Sequence, residues 1–141
     1  MDPALVFLIL AILIVAIFVF VAITISSRKP HVFDVEEYQI AWLKIENSLT
    51  KSNRASYSTS VINADKLLDK AMAEMGVPGN TMGERLKRIA HTGKLSDIQS
   101  VWYAHKLRNR IAHEADFSIN YGQARQSMTI FKQALKDLGA I

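Results

Sequence analysis

The sequence predicts an all-α protein in which a single N-terminal transmembrane helix precedes an up-and-down bundle of four long helices and one short one. Three observations predict it. Ala4 to Ile25 form 22 residues without a charge. Beyond them, apolar side chains recur at helical intervals, punctuated by Ser, Thr, Asp or Asn caps and by glycines. No stretch carries the marks of a strand.

Within the apolar run Thr24 is the only hydrophilic side chain, and at ~1.5 Å rise per residue the run exceeds the ~30 Å hydrocarbon thickness of a bilayer. A cleaved signal peptide would begin with basic residues and end in a small-residue cleavage site. This N-terminus offers Asp2 and no lysine or arginine. Arg28 and Lys29 follow the run at once, so the positive-inside rule places the N-terminus outside and the rest in the cytoplasm. The bilayer is thus the expected partner of Ala4 to Ile25. No small-xxx-small glycine pattern marks the span as a packed helix pair, which leaves it a tether.

The expected organisation is a membrane anchor over 1–27, a linker over 28–33 containing Pro30, and one bundle domain over 34–141. About 110 residues suffice for one domain and not for two. Half the chain is hydrophobic and a fifth is charged, which supports a packed core. Cysteine is absent, which removes disulfides, thiolate zinc sites and thiol nucleophiles. All 17 Lys and Arg and 12 of the 13 acidic residues lie beyond the span, a net charge of +5 that proximity to anionic lipid accounts for.

Asp34 with Glu37 has capping-box spacing, and Tyr38, Trp42, Ile45 and Leu49 follow as a helical stripe. The polar patch Thr50 to Asn53 is expected to break this helix, although one continuous helix is also compatible with the pattern. Val61, Asp65, Leu68, Met72 and Met75 mark the next helix, which stops at Gly76. Thr81 and Glu84 cap a short helix carrying Met82, Leu86 and Ile89 and ended by Gly93. Ser96 is expected to open a fourth helix running to about Glu114. Asn120 caps a fifth, in which Tyr121, Ala124, Met128, Phe131, Leu135 and Leu138 form a core stripe.

The fourth helix departs from simple amphipathicity. At about 100° per residue, Ile98, Val101, Ala104, Leu107, Ile111 and Ala112 share one arc, with Arg108 near its centre. Burying an unpaired charge costs several kcal/mol, so Arg108 requires a partner or a purpose. Asp65, inside the apolar stripe of the second soluble helix, is the expected partner in a structural ion pair. Along one edge of the arc His105, Asn109 and His113 recur every four residues, with Trp102 nearby. These four residues are the expected interface if the chain dimerises.

Leu107-Arg108-Asn109-Arg110-Ile111-Ala112-His113 resembles the Arg-x4-6-His motif of HEPN domains, in which a polar residue commonly follows the arginine. Asn80-Thr81-Met82-Gly83-Glu84-Arg85-Leu86 is similar to a segment of an uncharacterised prokaryotic HEPN-like branch. The resemblance covers about Val35 to the C-terminus and implies a HEPN-like bundle behind a prokaryotic plasma-membrane anchor. It is a resemblance of fold before function.

For active members the resemblance implies metal-independent endoribonuclease chemistry in a homodimer. His113 would handle the 2′-hydroxyl proton, Arg108 would hold the scissile phosphate, and Asn109 would orient His113. Arg85, Lys87, Arg88, Lys94, Arg110 and Arg125 would track an RNA backbone. Glu114 and Ala115 stand where toxin-type members often carry glycine and an aromatic residue. The main expectation is therefore a membrane-tethered HEPN-like interaction module with a protein or RNA partner, and the nuclease is the alternative. Neither reading calls for a metal or cofactor.

Overall fold

The computed structural model describes residues 2–26 and 33–141. The linker expected over 28–33, with Arg28, Lys29 and Pro30, lies outside the described residues except for Phe33. The chain divides into two compact units, one within 1–31 and one within 32–141.

The first unit is one helix, α1 (Pro3–Ser26). Pro3 stands at its first position, where the missing N–H costs nothing. Its segment Pro3–Ala22 is long and apolar enough to cross a membrane. Large side chains such as Phe7 and Phe18 are about three-quarters exposed, at 75% and 76%. An apolar surface of this kind calls for a covering medium.

The second unit is a helical bundle of α2 (Val35–Ser48), α3 (Arg54–Glu74), α4 (Met82–Ile89), α5 (Ile98–His113) and α6 (Tyr121–Asp137). A single 3-10 turn, Ala90–Thr92, extends α4, and no strand occurs among the described residues. Asp34 caps α2 by accepting from Glu37 N–H at 3.1 Å. The continuous-helix possibility is excluded, because Leu49 and Asn53 leave helical geometry and Asn53 caps α3 anew through Ala55 N–H.

Gly76, at φ +75°, turns the chain beyond α3 in the left-handed region that favours glycine. Thr81 caps α4, and Asn120 with Gln123 forms a reciprocal capping box on α6. One cap is corrected. Asp97, not Ser96, opens α5 by accepting from Ser100 N–H, which frees Ser96 to donate to Asp137 at the far end of α6. A carboxylate outcompetes a hydroxyl as acceptor for the first-turn amides, being charged and favoured by the helix dipole.

α3 is the central element and packs against α2, α4, α5 and α6. Its Val61, Ala64, Leu68, Ala71 and Met72 are fully buried, as are Leu86 of α4, Ala104 of α5 and Phe131 and Leu135 of α6. The small residues Ala64, Ala71 and Ala104 let helices approach closely, and the larger ones fill the space between them. This packing brings one end of α5, the start of α4 and the middle of α3 to a common surface.

Candidate functional site

That surface is a cleft of about 780 Å³. The middle of α3 contributes Asp65, Lys66 and Asp69. The first turns of α4 contribute Thr81, Met82, Gly83, Glu84 and Lys87. The polar edge of α5 contributes Trp102, His105, Arg108, Asn109 and His113.

Two helical periodicities assemble it. Asp65 and Asp69 lie one turn apart on α3, and His105, Asn109 and His113 lie at successive turns of α5. Gly83 keeps the wall between them open. A Cβ there would sit 3.6 Å from the Trp102 ring and 3.7 Å from His105 Nε2, so a larger side chain would occupy the cleft.

At its floor four side chains close a ring. Arg108 Nη1 donates to Asn109 Oδ1 at 2.9 Å. Arginine is a donor only, so this bond orients the amide and turns Asn109 Nδ2, also a donor, toward His105 Nε2 at 3.1 Å. His105 Nε2 must then accept, which puts the ring proton of a neutral imidazole on Nδ1. That nitrogen donates to Asp65 Oδ1 at 2.8 Å. Asp65 Oδ2 closes the ring 3.3 Å from Arg108 Nε. The last contact is an ion pair rather than a hydrogen bond, because the Arg108 Nε–H is not directed at an acceptor. Asp65 and His105 are deeply buried, with side chains 3% and 8% exposed, whereas Arg108 retains 24%.

The placement of Arg108 corrects the sequence expectation in one respect. Angle alone puts it near the centre of the buried arc, yet it is only partly buried and Ala112, one turn on, is exposed. Axial position decides this. Val101 and Ala104 are 3% and 0% exposed deep in the bundle, and the same arc emerges at the cleft over the last two turns of α5. Tyr103, Lys106 and Arg110 do face outward.

Asn109 is bonded to His105 and Arg108, and no hydrogen bond joins it to His113, which is exposed on the cleft rim. The part of positioned imidazole falls to His105. Its ring also meets Trp102 edge-on, with centroids 5.9 Å apart.

Among the basic residues expected along a nucleic acid, Lys87 lines this cleft. Arg85 is held by Asp69 at 2.8 Å, and Arg110 pairs with Glu114 while lying 3.8 Å over the Phe117 ring. Arg88 lines a neighbouring cleft with Lys87, while Lys94 and Arg125 are exposed and line neither. Lys66, Asp69 and Gly83 enter the site only through the folded structure. The i, i+4 spacing of Asp65 and Asp69 is the signal that could have found one of them.

Among the described residues no group of three or more His, Asp or Glu side chains is placed to hold a metal ion. No protein-family model, no curated protein and no solved structure matches the chain.

Proposed function

We propose that the chain is a membrane-tethered, HEPN-like helical binding module whose bundle lies on the cytoplasmic face and whose recognition surface is the cleft between α3, α4 and α5. The observation that carries this reading is that Asp65 already faces both His105 and Arg108. A guanidinium matched to a buried carboxylate has less charge to give to a scissile phosphate, and an imidazole with both nitrogens bonded has no free site for a substrate proton. What remains open to a partner is a rim of Trp102, Lys66, Lys87 and His113 around that ring.

The alternative is a metal-independent endoribonuclease acting as a homodimer. It is favoured by one observation: Arg108 and the exposed His113 line the same cleft. In that case His113 would serve as general base and Arg108 would steady the phosphate.

One pair of assays on the full chain in vesicles separates the two. RNA incubated in chelator should stay intact with the parent and with His113→Ala. Cleavage by the parent that is lost in the variant would establish the nuclease. In parallel, a photo-crosslinking residue at His113 should capture a partner in native membranes, and Gly83→Leu, which fills the cleft, should abolish capture. Capture indifferent to Gly83→Leu would remove the cleft from recognition, and capture of a second copy alone would identify the face as the dimer interface.

A further inference from the structure

The outer face of α4, with the 3-10 turn and the residues just after it, collects cations that form no ion pair. Lys87, Arg88, His91 and Lys94 are all exposed, and among the described residues none of them takes part in an ion pair. Lys87, Arg88 and His91 surround a shallow cleft of about 390 Å³ together with Pro78 and Gly79. Glu84, the one acid on its wall, is engaged elsewhere: its carboxylate accepts from Asn80 N–H at 2.7 Å at the start of the helix. The opposite wall is fixed. Gly79 has φ +150°, and a Cβ there would come within 3.0 Å of both Arg85 N and Glu84 Cβ, so the loop is pressed against the helix.

We infer that this face docks on the anionic headgroups of the bilayer in which α1 is anchored, with Lys87, Arg88, His91 and Lys94 as the contacts. The inference rests on the reading of α1 as a membrane span. Eight residues separate α1 from α2, a reach of at most about 30 Å, so the tether holds the bundle close to the lipid surface and makes docking intramolecular. Each Lys or Arg near an anionic leaflet then shifts the balance by about fivefold, and three of them by roughly a hundredfold. The distribution of charge favours lipid over RNA. Lys87, Arg88 and His91 converge on one small cleft, whereas in the main cleft the free cations Lys66 and Lys87 stand beside Asp65, Asp69 and Glu84, carboxylates that would repel an RNA backbone. Because Glu84 and Lys87 line both clefts, docking would hold the main cleft beside the headgroups.

The test uses the full chain, which has no cysteine, with Ala90→Cys carrying an environment-sensitive fluorophore beside the basic face. The chain is reconstituted in phosphatidylcholine vesicles with and without phosphatidylglycerol. Flotation with both vesicle types reads the α1 anchor, and its failure sinks the span reading itself. Quenching of the fluorophore by headgroup-labelled lipid reads docking. It should appear only with phosphatidylglycerol, fade as salt is raised, and drop about a hundredfold in docked-to-free ratio in Lys87→Gln/Arg88→Gln/Lys94→Gln. Quenching that is equal in both lipids, or unmoved by salt, overturns docking while leaving the anchor intact. A fluorophore response to short RNA on phosphatidylcholine vesicles, with none to phosphatidylglycerol, assigns the face to nucleic acid and overturns the inference equally.

Discussion

His105 Nδ1 lies 2.8 Å from Asp65 Oδ1, joining the middle of α3 to the polar edge of α5 at the floor of the main cleft. The same carboxylate faces Arg108, so one buried anion organises two basic groups at the point where the apolar packing of α5 opens to solvent. A carboxylate without partners could not stay charged at that depth. With them, it sets the register of α5 on α3 and presents Arg108 and Asn109 to the cleft.

Removing the carboxylate should therefore cost more than removing either partner. Asp65→Ala is expected to destabilise the bundle by about 3–5 kcal/mol, the usual loss when one member of a buried pair is deleted. Arg108→Ala should cost less, about 1–2 kcal/mol, because the guanidinium is partly hydrated already. Urea unfolding followed by Trp42 emission, in a Trp102→Phe background, would rank them. A loss below about 1 kcal/mol for Asp65→Ala would mean that the ring carries no stability.

The ring also fixes a tautomer. Since Asn109 Oδ1 is taken by Arg108, His105 Nε2 accepts and Nδ1 carries the hydrogen. Nitrogen-15 spectra of labelled chain should show His105 as the neutral Nδ1–H form, the less common of the two in water. Asn109→Ala should shift the Nε2 resonance of His105 and leave that of His113 in place. A shift of His113 instead would restore the role that the motif spacing implies for Asn109.

Much of this architecture was legible in the sequence, because caps and apolar periodicity are local. Asp34, Thr81 and Asn120 announce α2, α4 and α6 through their own hydrogen bonds, whereas Asn53, in a patch the sequence marks only as a break, emerges as the cap of α3 in the fold. The site was legible only in part. Helical spacing puts His105, Asn109 and His113 on one stripe, but which histidine is buried depends on how far along α5 the bundle reaches. That depth is set by α3 and α4, and nothing within residues 98–113 encodes it. Gly83 is a similar case: its place in a capping segment is plain, whereas its value as a gap beside Trp102 exists only once α4 and α5 are packed.

Asp137 gives the bundle an acid-sensitive clasp. Burial raises its pKa, but hydrogen bonds from Ser96 Oγ at 2.6 Å, Ser96 N–H at 2.8 Å and Gln133 Nε2 at 2.8 Å outweigh that, and the net shift is downward. A depressed carboxylate contributes stability that is fully present above its unfolded value near ~3.9 and is lost as pH falls through the folded value. The urea midpoint should therefore decline as pH falls below about 4, and Asp137→Asn should flatten that part of the decline. A variant with an unchanged acid limb would show that Ser96 does not hold the carboxylate in solution.

Tyr38 should mark the opposite end of the pH scale. Its side chain is 1% exposed. Burial raises its pKa above the usual value, and the nearby charges of Glu74 and Glu37 add to the shift. Lys70 lies 5.1 Å over its ring but is itself bound to Glu37 at 2.7 Å, so the carboxylates dominate. For a group whose folded pKa is raised, the contribution to stability is intact below the unfolded value near ~10 and disappears as pH rises toward the folded one. Of the four tyrosines, Tyr38 is the most buried, so its phenolate absorbance should appear only at unfolding. Tyr38→Phe should remove that late component and lessen the alkaline loss of stability. If all four phenols ionise together before the helical signal falls, the Tyr38 hydroxyl is open to water and α2 is not packed on α3 as described.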